Sequence, residues 1–337
     1  MSADNASQPI QIQSNWQAEL SQCITSIDKL LDYLCLKPNQ LDLSQLAQQD
    51  FPLRVPQSFA QRMETGNPQD PLLAQVLPVA AEMQPMPGYS LDPLQETDHN
   101  PAPGIVQKYR NRLLLIVSPN CAINCRYCFR RHFPYQENRQ SKQEWRRAID
   151  YIAEAKDINE VIFSGGDPLA ANDNFLGWLC EQIAAIPHIK RLRIHTRLPV
   201  VIPSRIDENF LRWASGTRLA PLMVLHINHA NEINQEVADA VQRLTDQGIR
   251  VMNQTVLLRD VNDDAEVLRQ LSERLFDIGV TPYYLHLLDR VQGAEHFDIA
   301  QQRALQIYAE LQSNLPGFLV PKLVREVPGE ESKTLIQ

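Results

Sequence analysis

From Arg112 onward the chain alternates short apolar runs with longer stretches of helical period, and few folds accept that alternation. The runs are "LLLIVS", "EVIFSG", "RLRIHT", "PLMVLHI", "RVMNQTVLL", "TPYYLHLL" and "GFLVPKLV". Between them stand "KQEWRRAIDYIAEA", "NFLGWLCEQIAAI", "INQEVADAVQRLTDQG" and "DAEVLRQLSERLFDIG". Strands that are apolar almost throughout must be covered on both faces, so the pattern predicts a parallel α/β sheet: a full or partial barrel, or a doubly wound sheet. Polar residues gather where these strands end. Ser118, Gly165, Gly166, Asp167, His195, Arg197, His226, Asn228, Asn253, Gln254 and Asp289 all fall there, where an α/β barrel assembles its active site.

Two other textures precede the alternation. Residues 1–79 read as a helical region, with "WQAELSQCITSIDKLLDYLCL" as a helix capped by Ser14. Residues 80–104, containing "MQPMPGYSLDPLQETDHNPAPG", are rich in proline and turn formers and read as an extended connector on the surface. The catalytic body is expected over 105–337. With 44% hydrophobic and 21% charged residues the chain has ample material for a core. A net charge of -8 argues against nucleic acid as a partner of the whole surface. The N-terminus has no charged stretch followed by an apolar one, and no run of about 18 apolar residues occurs. The expectation is a cytoplasmic protein without a membrane partner.

Cys121, Cys125 and Cys128 crowd the loop after the first apolar run, in "CAINCRYCFRRHF". A loop places no helix or ladder between the thiols, so they can serve one metal centre. A structural zinc wants a fourth ligand, and an ordinary cubane wants four cysteines. Three on a 4Fe-4S cluster leave one iron open to an external chelating ligand. Zinc held by the three with His132, or three incidental thiols, stays open on spacing alone. Cys23, Cys35 and Cys180 read as core residues.

The spacing, with Tyr127 before the last cysteine, resembles the radical S-adenosylmethionine (SAM) superfamily and its C-x3-C-x-aromatic-C motif. "SGGDP" is similar to that superfamily's glycine-rich segment at the methionine amine, which would make Gly165, Gly166 and Asp167 cofactor-binding. The stretches "FPLRVPQSFAQRM", "CRYCFRRHF", "FSGGDPL", "LPVVIPSRI", "HINHANEI", "NQTVLLRDVND" and "PYYLHLLD" then resemble lysine 2,3-aminomutase, from about Phe51 to Thr334. Within that family the chain looks most like the bacterial branch that makes (R)-β-lysine for elongation factor P.

The resemblance implies a partial (β/α)6-type radical SAM barrel with an N-terminal helical extension. It implies an isomerase acting on L-lysine, with a 4Fe-4S cluster on Cys121, Cys125 and Cys128, SAM, pyridoxal 5'-phosphate (PLP) and an external one-electron reductant. Lys333, in "REVPGEESKTLIQ", matches the lysine that carries PLP and would be catalytic, although by position alone it reads as a solvated tail residue. Lys108 and Arg112 match the PLP phosphate anchors, and His226, Asn228 and Gln254 would contact SAM or PLP. Arg130 matches the substrate carboxylate anchor. Asp289 and Glu326 match the carboxylates for the distal ammonium, with Glu326 standing where the family has aspartate. The family's glycine run before the lysine is reduced here to Gly329. "VNDDAE" replaces a cysteine-bearing segment, so no structural zinc is expected at a subunit contact, and a different or weaker oligomer is. A functional link to an elongation factor P lysyl ligase follows. The alternatives are the same reaction in catabolism or osmolyte supply, and an iron–sulfur sensor with a vestigial PLP site.

Overall fold

The computed structural model describes residues 16–138 and 140–337. Ser14, the expected first cap, lies outside the described residues. The stretch after it forms two helices rather than one, α1 (Trp16–Ser21) and α2 (Ile27–Tyr33). Between them Ile24 pairs with Val55 as an antiparallel bridge, a use of extended backbone that suits the β-branched pair Ile24 and Thr25. Ser26 then accepts from Lys29 N at 3.4 Å and starts the second helix. Three short helices follow, α3 (Gln45–Asp50), α4 (Gln57–Ala60) and α5 (Pro71–Ala74). Of the scattered cysteines Cys180 is buried as expected, whereas Cys23 is half-buried and Cys35 is exposed just past α2 at φ 55.

The connector has no long element and runs along the loop that follows strand β7 (Thr281–His286). Ser90 N donates to Arg290 O at 3.0 Å, and Gln292 N donates to Ser90 O at 3.0 Å.

One nine-stranded sheet runs in chain order among the described residues: β1 (Ile105–Tyr109), β2 (Arg112–Ser118), β3 (Glu160–Gly165), β4 (Arg191–Thr196), β5 (Ala220–His226), β6 (Arg250–Val256), β7, β8 (Lys322–Arg325) and β9 (Thr334–Leu335). Strands β2 to β8 are parallel, while β1 and β9 are antiparallel edges. Helices cover the outside: α6 (Lys142–Glu154), α7 (Asp173–Ala184), α8 (Leu198–Val201), α9 (Glu208–Ser215), α10 (Gln235–Asp246), α11 (Ala265–Asp277) and α12 (Gln301–Asn314). The six βα units and the helical extension make the partial barrel that the resemblance implies. The alternating pattern in the sequence lacks β1, β9, α8, α9 and α12. It also extends the last strand too far back: Gly317–Leu319 is a 3-10 turn, because Pro316 and Pro321 forbid a ladder there.

Strand periodicity decides what the barrel contains. In β4, Leu192 and Ile194 are buried under the helices while Arg193 and His195 face inward and stay partly accessible. In β6, Val251, Asn253 and Thr255 are buried, and Met252 and Gln254 alternate with them. The inner face of β4 and β6 therefore carries partly accessible polar side chains at Arg193, His195 and Gln254. Among the described residues no ladder joins β9 to β1, so the barrel has a seam. Side chains bridge it, with the Tyr109 hydroxyl donating to Glu326 Oε1 at 2.6 Å.

The helices start on polar caps: Ser141 and Glu144 form a capping box for α6, and Asn172, Asp207, Asn234 and Asp264 cap α7, α9, α10 and α11. The "VNDDAE" departure acquires a role here. Asp264 Oδ1 accepts from Glu266 N at 2.8 Å, and Asp263 Oδ1 accepts from Asp260 N at 2.9 Å. No described helix is long and apolar enough to cross a membrane.

Candidate active site

The three clustered cysteines lie in the loop between β2 and α6, and the N-terminal region holds that loop from behind. Cys23 donates to Ala122 O at 3.5 Å, Asn124 N donates to Arg54 O at 3.1 Å, and Arg126 N donates to Gln75 O at 2.9 Å. The Arg126 side chain is fully buried and donates to both oxygens of Glu82, at 2.9 and 2.5 Å. Arg131 meets the same carboxylate at 3.0 Å, so both arginines turn to an acidic neighbour and away from the barrel. A loop of this length would otherwise pay for its order in conformational entropy.

Among the described residues no three His, Cys, Asp or Glu side chains come together around one ion. His132, the alternative zinc ligand, instead meets Gln292 O at 3.0 Å. A cubane distributes its thiolates over separate irons, and the donor set fits that demand. Burial pushes the Cys128 thiol up to about 11, with the charge of Cys125 adding, and pushes Cys121 well above the usual thiol range. Loading a metal centre here must therefore release protons. Cys125 Sγ accepts from Arg197 Nη1 at 2.7 Å.

The glycine pair has a structural reason of its own. Gly165 adopts φ +132, and a Cβ at Gly166 would stand 2.7 Å from Asn120 O. Two glycines let the end of β3 press against the backbone that leads into Cys121. Gly165 O is already in use, accepting from Arg130 Nη1 at 3.1 Å and Tyr135 Oη at 3.0 Å. Asp167 is also fully engaged. Its carboxylate accepts from Thr196 Oγ1, Arg197 N, Leu198 N and Leu169 N at 2.7 to 3.0 Å, tying β3 to the turn after β4. Burial still outweighs those bonds and raises its carboxyl above the ordinary value.

Inside the barrel a chain of charges crosses the seam. Lys333, just before β9, is turned inward: its Nζ lies 2.6 Å from Glu326 Oε2 and 5.7 Å from the Tyr284 ring centroid. The antiparallel pairing of Thr334 with Arg325 is what brings it there. Lys108 lies 4.0 Å from Glu326 and 3.8 Å from Glu96. Burial draws the Lys108 ammonium below its usual value, against the pull of Glu96 and Glu326. Arg112 stands one residue removed, its guanidinium 3.8 Å over the Tyr109 ring. Arg130 is buried and grasped by Glu96, so the guanidinium expected to be free for a substrate carboxylate already carries one from the connector.

Several groups in this interior have no partner. His195 Nε2, His286 Nε2 and Asp289 Oδ1 are shielded from solvent and make no hydrogen bond. Burial pulls His226 down to about 3, with Arg197 and Arg130 adding, and holds His195 and His286 well below the usual range. All three imidazoles are therefore neutral at pH 7. His226 Nε2 pairs with Gln254 Nε2 at 2.9 Å. The Asn228 side chain is engaged elsewhere, donating to Gln75 Oε1 at 3.0 Å and accepting from Val256 N at 2.9 Å. Orphaned polar atoms beside Lys108 and Lys333 suit an anionic cofactor and a polar substrate. A groove of about 640 Å³ between Pro119, Trp145, Asn172 and Trp178 lies elsewhere, and none of the candidate residues lines it.

The sequence reading lacks His286, Tyr284, Tyr109 and Glu96. Period-two spacing in "YYLH" puts Tyr284 and His286 on one face and carries a usable signal. Glu96 carries none, because its place depends on how the connector folds over the barrel.

A radical SAM superfamily model matches residues 115–271. The chain is 52% identical over 326 residues to an L-lysine 2,3-aminomutase of Haemophilus influenzae, covering 97% of this chain and 96% of that one. It is 52% identical to an L-lysine 2,3-aminomutase of Escherichia coli, covering 95% and 94%. An L-lysine 2,3-aminomutase of Clostridium subterminale is 32% identical, covering 95% of this chain and 77% of the relative.

Proposed function

The chain belongs to the L-lysine 2,3-aminomutase family of radical SAM enzymes, and on that premise we propose which residues serve the isomerisation, that it depends on PLP, and that its product serves elongation factor P. Membership makes it an isomerase that moves an amino group within L-lysine, with a 4Fe-4S cluster, SAM and a one-electron reductant. The cluster and SAM supply the hydrogen-abstracting chemistry, and PLP carries the migrating amino group.

The residue roles are as follows. Cys121, Cys125 and Cys128 hold the cluster. Gly165 and Gly166 bring backbone close to it, with Asp167 fixing their turn. Lys333 holds PLP covalently, Lys108 and Arg112 supply cations for its phosphate, and His226 with Gln254 offers neutral hydrogen bonds that do not compete for charge. Arg130 receives the substrate carboxylate. Asp289 receives the distal ammonium, and Glu326 assists when Lys333 is engaged with the cofactor.

The observation that carries this reading is the inward turn of Lys333 onto Glu326, 2.6 Å apart, where a solvated tail residue would have no partner. The same convergence speaks against a sensor with a vestigial PLP site. Elongation factor P as the destination rests on the resemblance to that branch. The test is an anaerobic assay with SAM, PLP, reductant and labelled L-lysine, then chiral separation and transfer of product to elongation factor P by its lysyl ligase. (R)-β-lysine that the ligase accepts is the expected result. Activity without added or bound PLP overturns the cofactor reading, and an S product overturns the destination.

A further inference from the structure

Behind the cysteine loop lies a buried charge cluster that the isomerisation does not use. Arg197, at the end of β4, is 5% exposed. Its Nη1 donates to Cys125 Sγ at 2.7 Å, and its Nη2 donates to Gln75 Oε1 at 2.7 Å and Glu232 Oε2 at 2.9 Å. The guanidinium sits between aromatic faces, 5.2 Å from the Phe59 ring centroid and 5.7 Å from that of Tyr127. Glu232 cannot easily follow a moving partner. Its Oε1 accepts from Asn228 N at 2.9 Å and His229 N at 3.1 Å, and the residue is fully buried. The guanidinium is thus held in place from the side opposite the thiol.

We propose that Arg197 is a positioning residue for the iron–sulfur cluster, fixing the Cys125 thiolate and raising the cluster's reduction potential through a charge-assisted hydrogen bond, with Glu232 limiting that rise. The inference rests on Cys125 being a cluster ligand. Hydrogen bonds and positive charge at a ligand sulfur favour the more negative, reduced cluster, and low-dielectric surroundings enlarge the effect. Removing the guanidinium makes reduction harder. Removing the charge of Glu232 leaves Arg197 less compensated and makes reduction easier. A purely structural Arg197–Glu232 pair predicts no such opposite signs, because losing either partner would disturb the same contact.

The experiment uses the reconstituted full chain, with iron and sulfide content and an EPR-monitored potential titration, with and without SAM. Arg197→Met should shift the midpoint to more negative potential, Glu232→Gln to more positive potential, and Arg197→Lys should fall between Arg197→Met and the wild type, all at wild-type iron content. Equal potentials, or shifts of one sign in Arg197→Met and Glu232→Gln, overturn the proposal. Should Arg197→Met fail to assemble, Glu232→Gln and Arg197→Lys decide by the same signs. Cys125→Ala is the separate control: if it keeps its iron, the ligand assignment fails rather than the role of Arg197.

Discussion

Glu96 grips Arg130 with both carboxylate oxygens, Oε2 2.7 Å from Nε and Oε1 2.9 Å from Nη2, and both residues are buried. Arg130 Nη1 is taken by Ser164 Oγ at 2.8 Å and Gly165 O. An arriving substrate carboxylate must displace Glu96 or accept the single N–H left over. Glu96→Gln keeps the shape and removes the charge, which should cost about 3–5 kcal/mol of stability because a buried cation loses its partner. Lysine should then stabilise the variant more than the wild type, since its carboxylate replaces the missing one. Thermal unfolding with and without lysine checks this, and equal ligand shifts would remove Arg130 from substrate binding.

Replacing Lys333 by alanine should abolish both covalent capture of PLP and production of β-lysine. The cluster loop is far along the chain and makes none of its contacts with this residue, so iron content should stay at the wild-type level. Mass measurement after borohydride reduction reads the attachment directly. Arginine at 333 should fail equally, because the role needs a nucleophilic amine rather than a charge.

Asp289 gives the site a pH dependence. Burial pushes its carboxyl up to about 7, with Lys333 and Lys108 pulling down and Glu326 and Glu96 pushing up. An acid with a raised folded-state pKa keeps its proton when folded and loses it when unfolded, so its contribution to stability falls from about pH 4 to about pH 7 and is constant above. A substrate ammonium favours the ionised form. Lysine binding should expel a proton below about pH 7 and tighten as pH rises to that value. Asp289→Asn should weaken binding and flatten the profile of KM against pH.

Arg126 and Glu82 form a fully buried pair that joins the cysteine loop to the start of the connector. Glu82→Ala should destabilise by roughly 3–5 kcal/mol, leaving Arg126 and Arg131 without their shared carboxylate. Denaturant unfolding measures that loss. Iron retention during dilution should fall with it, which links the connector to the metal centre and not only to the fold.

Local pattern is enough for the fold class and for the materials of the chemistry. Alternating apolar runs and helical periods demand a parallel sheet under helices, because each element has to bury a face, and local spacing alone places three thiols in one loop. The strand ends marked His195 and Gln254 as site candidates, and the period-two spacing of Tyr284 and His286 carried a signal of the same kind. Where the two ends of the chain go depends on long-range pairing. Lys333 becomes a barrel residue because β9 pairs with β8, and Glu96 reaches Arg130 because the connector crosses the barrel. Asn228 gives its amide to Gln75, 153 positions distant. Such contacts join residues far apart in sequence, so their energies are absent from any local pattern. They depend on the whole sheet having closed far enough to bury the charges that then must find each other.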